Sequence, residues 1–429
     1  MLFLCLIVIC LYLNEFTLAF TPNNTVWGHS AVFADSRIYI TGGYYPQNPI
    51  NFTGAILSKE FYYLDVEKSF GVGATDTLPW VDLSSVSQIL PLHAFSAFCG
   101  LNNDFLILYI QSVYTYVISS QQWSNNSTTT NAPQFYYNSQ GQTVCDVKTG
   151  KMYRFGGNRH LSGQINNNMD ILDTSTLVWE TGSTVNAPIG RYDHTGTLLS
   201  NGNIVYIGGC ISYGEFASMT ELPLYNTNNN TWTSITIPGY PDYYSPTPRA
   251  YHSAVLTQDG RIIVYGGYTI NYNLHEVVTD DLVILDTSQP VYTWSKANVS
   301  TNSPLSRFYH TATLVGDYMI VIFGRNNIHI PPPTSNEVFI LDTSDKSNYK
   351  WVSEFDLNTP PTTSSPTPSP TGSSNSSKPP TPSTAPSDLI GILITVVFAL
   401  IGASFLIYRY RRRRLSRLDI LTLISPQTN

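Results

Sequence analysis

One sequence motif recurs along the chain, and its spacing restricts the possible folds more than any other feature. In four copies a His followed by Ser or Thr opens an apolar stretch that ends in one or two glycines. The copies read WGHSAVFADSRIYITGG at 27–43, RYDHTGTLLSNGNIVYIGG at 191–209, RAYHSAVLTQDGRIIVYGG at 249–267 and RFYHTATLVGDYMIVIFG at 307–324. A partial copy, MYRFGG, stands at 152–157. Such a period indicates an architecture of repeated structural units.

The spacing of the first glycines predicts six units. These glycines are residues 42, 156, 208, 266 and 324, so the gaps are 114, 52, 58 and 58 residues and the first gap spans two periods. The copy inside it has lost its glycines but keeps HAFSAF at 93–98, DFLILYI at 104–110 and VYTYVIS at 113–119. Every unit closes on a tryptophan, and these are Trp80, Trp123, Trp179, Trp232, Trp294 and Trp351.

Each unit reads as four short strands, and a lone sheet of that size cannot bury both of its faces. Packing six such sheets around an axis buries both faces, so the expected fold is all-β, a six-bladed β-propeller. We expect the tryptophans to fill the space between neighbouring blades. The glycines are expected where backbones crowd and φ is positive, and they are Gly42, Gly43, Gly156, Gly157, Gly208, Gly209, Gly266, Gly267 and Gly324.

The His-Ser/Thr-Ala opening, the Gly-Gly pair, the LDTS-like third strand and the closing tryptophan resemble the kelch repeat over residues 22–357. The resemblance implies a six-bladed propeller of the galactose oxidase central-domain type. The second unit and Arg325, which replaces a glycine, depart from the pattern. How the ring closes stays open. With the anchor described next, the chain resembles fungal-type surface kelch proteins.

The two ends predict a membrane-anchored surface protein. The apolar run at 2–13 followed by Thr17-Leu18-Ala19 indicates a signal peptide, 1–19, cut after Ala19. Residues 389–408 carry no charged side chain and are long enough for one transmembrane helix. Four arginines at 411–414 predict a cytoplasmic tail, 409–429. A Ser/Thr/Pro-rich stalk, 358–387, would hold the propeller extracellular at the plasma membrane.

Charge and composition limit the classes of partner that the chain is expected to bind. The tail holds six Arg and one Asp, a charge of +5, so the remainder carries −7 − 5 = −12. An acidic ectodomain argues against nucleic acid. Predicted N-glycosylation sites are Asn23, Asn51, Asn125, Asn126, Asn229, Asn298 and Asn375. After the signal peptide, three cysteines remain, Cys99, Cys145 and Cys210, which allow at most one disulfide.

An enzymatic alternative comes from the resemblance to galactose oxidase, which implies copper held by two Tyr and two His. Tyr251-His252 and Tyr309-His310 are the pairs that would correspond. Both histidines stand at the repeat position that His29 and His194 also occupy, which favours a role in the kelch scaffold. The C-terminal domain that delivers a copper ligand in that enzyme has no counterpart here. We therefore predict no catalytic residue, metal or cofactor.

Arg191, Arg249 and Arg307 each stand three residues before a repeat His. They are interpreted as hydrogen-bond donors between blades, with an anion site in the channel as the alternative. Long segments that follow the glycines, at 44–60, 158–168, 211–221, 268–280 and 325–336, form the expected binding face. The predicted function is recognition or adhesion through a protein or glycan ligand. A copper radical oxidase and a structural coat component are the alternatives.

Overall fold

The computed structural model describes residues 20–22, 26–47, 54–73, 77–94, 96–100, 105–109, 112–126, 143–159, 164–238, 244–271, 274–326 and 338–357. Within these ranges the regular secondary structure is all β. Six four-stranded antiparallel sheets follow one another along the chain, and each is built from one continuous stretch of it. They are the six blades that the repeat count predicts.

The strands of each blade run in chain order from the axis outward. Blade 1 consists of Ser30–Ala34, Arg37–Thr41, Phe61–Asp65 and Trp80–Asp82. Blade 2 consists of Ala97–Gly100, Phe105–Tyr109, Val113–Val117 and Gln122–Asn126. Blade 3 consists of Val144–Asp146, Lys151–Phe155, Met169–Asp173 and Val178–Thr181.

Blade 4 consists of Thr195–Leu198, Asn203–Ile207, Glu221–Asn226 and Thr231–Thr236. Blade 5 consists of Ser253–Leu256, Arg261–Tyr265, Leu282–Asp286 and Thr293–Lys296. Blade 6 consists of Thr311–Val315, Tyr318–Ile322, Val338–Asp342 and Lys350–Val352. The first strands of successive blades contact one another around a closed ring and so surround the central channel.

The core lies between the blades, because the second and third strands are buried on both faces. All five residues of Arg261–Tyr265 are buried, for example. Each closing tryptophan packs against the preceding blade. Trp80 stacks on Phe323 of blade 6 at 5.7 Å between ring centroids, and Trp232 lies 4.8 Å from Phe155 of blade 3. Burial of these large rings supplies much of the interblade contact area.

The double glycines join neighbouring blades through the backbone. The second glycine donates its N–H to the next blade, as Gly209 does to the carbonyl oxygen of Arg249 at 2.9 Å and Gly267 to that of Arg307 at 2.8 Å. Gly208 and Gly266 adopt φ of 61° and 67°. A side chain on Gly266 would collide with the carbonyl oxygen of Arg307. Glycine is required here because the next blade approaches so closely.

The segments after the glycines form two-stranded hairpins in four blades. Their strand pairs are Tyr44–Pro46 with Ala55–Leu57, Asn158–Arg159 with Gln164–Ile165, Cys210–Ser212 with Glu215–Phe216, and Tyr268–Asn271 with Leu274–Val277. The sequence predicted binding loops at these positions without this regular pairing. The hairpins stand at the end of the propeller where the second strands finish, here called the double-glycine face.

The ring closes through a separate strand pair. Glu354–Phe355, after blade 6, pairs with Phe70–Gly71, which lies between the third and fourth strands of blade 1. The Phe70 and Phe355 rings stack at 5.1 Å. Gly324 also donates its N–H to the carbonyl oxygen of Val26 at 3.2 Å. Closure therefore leaves blades 1 and 6 complete, a question that the sequence left open.

One disulfide crosses from blade 2 to blade 3. It joins Cys99 and Cys145, whose Cα atoms are 5.8 Å apart, and Cys210 is a buried free thiol. The sequence allowed one disulfide but did not assign the pair.

Several predictions fall on residues that the structure does not describe: the signal peptide, the stalk, the transmembrane helix, the tail, Asn23, Asn51 and Asn375. Among the described residues, no helix has the length and hydropathy needed to span a bilayer. Of the remaining predicted glycosylation sites, Asn125, Asn229 and Asn298 are exposed and Asn126 is half-buried.

Candidate binding site at the mouth of the central channel

A cavity of about 250 Å³ opens on the channel at the double-glycine face. Four of the residues that line it occupy one repeat position, immediately before the repeat His: Gly28, Asp193, Tyr251 and Tyr309. All four have left-handed backbone conformations, with φ of 65°, 59°, 57° and 60°. A bulky residue rarely adopts this conformation, which costs it about 1–2 kcal/mol. The surrounding fold therefore imposes it.

Backbone hydrogen bonds between blades explain this conformation. Tyr251 donates its N–H to the carbonyl oxygen of Asp193 at 3.0 Å, and Tyr309 donates to that of Tyr251 at 3.2 Å. Gly28 continues the series by donating to the carbonyl oxygen of Tyr309 at 2.9 Å. The series runs through blades 4, 5, 6 and 1. These hydrogen bonds hold the backbone of Asp193, Tyr251 and Tyr309 in place, so their side chains are fixed at the channel mouth.

The repeat histidines lie one residue deeper, and His29, His252 and His310 bridge neighbouring blades, whereas neither ring nitrogen of His194 has a hydrogen-bond partner among the described residues. The Nε2 atom of His252 is 3.0 Å from the Thr195 hydroxyl oxygen, and that of His310 is 2.8 Å from the Ser253 hydroxyl oxygen. The Nε2 atom of His29 closes the ring, 2.8 Å from the Thr311 hydroxyl oxygen. Burial lowers the pKa of His29 and His252 to about 3, so both rings are neutral.

Tyr251-His252 and Tyr309-His310 therefore lie together, but their histidines are engaged in interblade hydrogen bonds. Among the described residues, no group of three or more His, Cys, Asp or Glu side chains could hold a metal ion. Cys210, the free thiol, is buried, and burial raises its pKa to about 12. These observations fit the scaffold interpretation of the two pairs.

The three repeat arginines lie outside the cavity lining and serve the scaffold. Arg249 is fully buried and forms an ion pair with Asp280 at 2.6 Å. It also donates to the carbonyl oxygens of Thr247, Gly266 and Asp280. Arg191 donates to the carbonyl oxygen of Gly208. These partners lie in the arginine's own blade. Arg307 donates to the carbonyl oxygen of Phe323 in its own blade and also forms a side-chain hydrogen bond with Tyr265 of blade 5, so the prediction of bonds between blades holds for this arginine.

Asp193 is a candidate site residue that the sequence interpretation missed. It is 3% exposed, and both carboxyl oxygens lack a hydrogen-bond partner among the described residues. Burial raises its pKa well above the usual range, and the nearby Tyr251 hydroxyl acts in the opposite direction with smaller effect. Its position before a repeat His, where two other units carry tyrosine, was the available signal.

Aromatic side chains surround the mouth. Tyr251 stacks on Tyr268 at 5.0 Å and lies edge-on to Tyr309 at 4.2 Å between ring centroids. Phe308 lies 4.8 Å from Tyr309, and on the other side of the mouth Trp27 stacks on Tyr44 at 6.0 Å. The four tyrosine rings are half-buried. This set is called the aromatic rim.

A groove of about 480 Å³ adjoins the rim on the same face, between the hairpins of blades 3 and 4. Its lining includes Ile165, Ile189, Tyr192 and Tyr213. Tyr213 is 93% exposed and Ile189 62% exposed. Large exposed apolar groups that cluster beside a cavity are typical of interaction surfaces.

A family model described as the Attractin/LZTR1 beta-propeller matches residues 102–352. The chain belongs to the Attractin/LZTR1 β-propeller family. Kelch domain-containing protein 3 of Rattus norvegicus is 25% identical over 340 residues, which cover 74% of this chain and 82% of the relative. Kelch domain-containing protein 10 of Xenopus tropicalis is 26% identical over 308 residues, 69% of this chain and 70% of the relative.

A solved structure entitled "Structure of YjhT" has a TM-score of 0.54 and 12% identity, and the match covers 77% of this chain and 98% of that one. At this low sequence identity, the match supports only the fold of this chain, a β-propeller. Together with the family model and the Kelch relatives, it confirms the predicted kelch-type propeller.

Proposed function

We propose that this protein is a cell-surface recognition module that binds a protein partner through its double-glycine face. The observation that carries the proposal is the aromatic rim around the channel mouth, continuous with the groove that exposes Tyr213 and Ile189. Kelch propellers typically act as protein-interaction domains, and the family match extends that expectation to this chain.

The chemistry of this face suits a protein partner. Tyrosine and tryptophan dominate the binding energy of protein interfaces, because their rings bury much area and lose little side-chain entropy. The half-buried tyrosines of the rim are also held by ring stacking, so less ordering is needed on binding. A partner that covers the groove would bury Tyr213 and Ile189.

The surface location belongs to the same proposal. Its support is the apolar start of the chain, the uncharged segment at 389–408 and the four arginines that follow it. The Cys99–Cys145 disulfide adds support, because disulfides persist mainly in oxidising compartments. The acidic ectodomain then faces the medium.

Topology is testable on the full chain in transfected cells. An epitope tag inserted at 22 should be accessible on intact cells, and a tag after Asn429 only after permeabilisation. Removal of N-linked glycans should increase the electrophoretic mobility. Accessibility of both tags only after permeabilisation would contradict the surface location.

Binding is testable with detergent-purified full-length protein on arrays of extracellular proteins and of glycans. Tyr213→Ala with Ile189→Ser should weaken binding of the captured protein by roughly tenfold or more, the loss of a central anchor. Val147→Ser is the matched control, because Val147 is 61% exposed in a turn at the opposite end of blade 3.

Unchanged binding by the double variant would show that this face is not the interface. Binding to glycans without any protein would contradict the assignment of a protein partner.

A further inference from the structure

We propose that the channel-mouth cavity binds a basic side chain, Lys or Arg, of a protein partner, with Asp193 as its counter-ion and the rings of Tyr251 and Tyr309 beside it. The inference rests on the proposed function, because it names the group that the partner inserts. Four observations carry it: the size of the cavity, its lining, the state of Asp193 and the charge of the chain.

The cavity has the size of one side chain. Its volume is about 250 Å³. Pockets that enclose a drug-sized ligand are larger, about 300–1,000 Å³. A single long side chain that enters from the double-glycine face matches this volume.

The charge of the lining favours a cation. Asp193 is the acidic residue among those that line the cavity, and none of them is Lys or Arg. Burial keeps the four histidines of the lining neutral. His29, His252 and His310 are engaged in hydrogen bonds through Nε2, whereas the ring nitrogens of His194 have no hydrogen-bond partner among the described residues. A partner's anion would therefore meet no positive charge here, whereas a cation would meet a carboxyl group.

Asp193 lacks the partner that a buried carboxyl group normally has. Its oxygens accept no hydrogen bond of ordinary geometry from the described residues, and the one nearby donor that lowers its pKa is the Tyr251 hydroxyl. A buried polar group without well-formed hydrogen bonds is costly. The groups that act on it electrostatically are Tyr192, Tyr251, Tyr268, Tyr309 and Cys210, and all are neutral acids. A basic group would supply the missing hydrogen bonds and charge.

The aromatic rings add a second attraction. Tyr251 and Tyr309 form an edge-to-face pair at 4.2 Å beside Asp193, and the π face of such a ring attracts cations. The carboxyl oxygens of Asp193 are almost fully buried.

The charge of the whole chain acts in the same direction. Residues outside the tail carry −12. A field of this sign attracts a basic partner and speeds the encounter.

The probes are Nα-acetyl-lysine amide and Nα-acetyl-arginine amide, with Nα-acetyl-norleucine amide as the uncharged analogue. Ligand-detected NMR on the purified full-length protein should show binding of at least one basic probe and not of the norleucine probe. Asp193→Asn should weaken that binding by roughly tenfold or more, as expected for loss of a charge-assisted hydrogen bond. Asn is chosen because it tolerates the left-handed backbone at this position.

Asp173→Asn is the matched control, because Asp173 is a half-buried acid that ends the third strand of blade 3, away from the cavity, and its carboxyl oxygen accepts bonds from Ser175. Affinity of the native chain for the basic probe should rise with pH, since Asp193 must ionise to pair with it. The Asp193→Asn affinity should not change with pH, because the surrounding tyrosines and Cys210 stay protonated.

Equal binding of the basic and norleucine probes, or equal affinity of native and Asp193→Asn protein, would overturn the inference. Suppose that neither basic probe binds the native chain, but that the array partner binds it and loses affinity when Tyr213 and Ile189 are replaced. The proposed cation site is then wrong, and the proposed recognition function stands. If the array partner instead binds equally well to the native chain and to the variant with Tyr213→Ala and Ile189→Ser, the proposed recognition function of the double-glycine face is itself wrong.

Discussion

Two interblade junctions are held together by different means. At the junction of blades 4 and 5, Gly209 donates to the carbonyl oxygen of Arg249, and the His252 ring bonds to Thr195 at 3.0 Å. At the junction of blades 2 and 3, the glycine positions of the repeat hold Ile110 and Gln111. There the Cys99–Cys145 disulfide crosses between the first strands.

This difference shows what the repeat motif does. Where the motif is intact, it provides a set of buried hydrogen bonds that dock one blade on the next. Where its glycines are lost, a covalent bond and the packing of Trp179 on Cys99 and Ile107 hold the blades together. The cavity is lined from both sides, by Ser96, Phe98 and Thr143 of blades 2 and 3 and by Asp193 and Tyr251, which the intact motif presents.

The largest expected effect comes from removing the buried guanidinium of Arg249, the residue whose backbone carbonyl oxygen accepts the Gly209 N–H at the intact junction. Arg249→Met should lower the free energy of unfolding by about 3–5 kcal/mol, because it leaves Asp280 buried without its partner at 2.6 Å. Denaturant unfolding of the full chain, followed by tryptophan fluorescence, measures this loss. All seven tryptophans lie in the propeller.

Arg37→Met is the control for that experiment. Arg37 pairs with Asp35 at 2.6 Å, but the side chains are 26% and 37% exposed, so its loss should cost within about 1 kcal/mol. Equal losses of unfolding free energy for the two substitutions would show that burial of the Arg249 network does not contribute to stability.

The second prediction concerns the covalent junction. Replacing Cys99 and Cys145 together with alanine should cost about 2–4 kcal/mol, since the bond closes a loop of 46 residues in the unfolded chain. Reductant should lower the stability of the native protein by a similar amount and leave the double variant unchanged. Cys210→Ala, at the buried free thiol, should keep the native response to reductant. A native protein that reductant does not affect would contradict the structural role of the disulfide.

The smallest expected effect concerns Asp193 at the intact junction. Its folded-state pKa is raised, so the folded protein holds a proton that the unfolded chain releases near its usual pKa of about 3.9. Native stability should therefore fall as pH rises from that value towards the folded pKa, with a slope of at most ~1.4 kcal/mol per pH unit.

Asp193→Asn should remove this slope and be the more stable protein at neutral pH, as pH-dependent denaturation can measure. Asp173→Asn should leave the slope in place. Parallel pH profiles for native and Asp193→Asn protein would show that Asp193 ionises normally in the folded state.

The amino-acid sequence alone predicts the features of this protein that repeat within each blade. The glycine spacing, the LDTS-like strands and the closing tryptophans predicted six all-β blades, because each blade is one continuous stretch with its own turns. The placement of tryptophan between blades followed from its size and its period. The sequence also marked the tyrosines before the repeat histidines as notable, although their role was open.

Tertiary structure decided everything that joins distant residues. The pairing of Cys99 with Cys145 and the closure of the ring through Phe70–Gly71 and Glu354–Phe355 depend on which blades become neighbours. Asp193, Tyr251 and Tyr309 are spaced about one repeat apart in sequence, and they meet only because the blades close into a ring around one axis. The repeat period determines the shape of each blade. Which side chains line the channel mouth depends on the residue that each blade carries at the repeat position before the His.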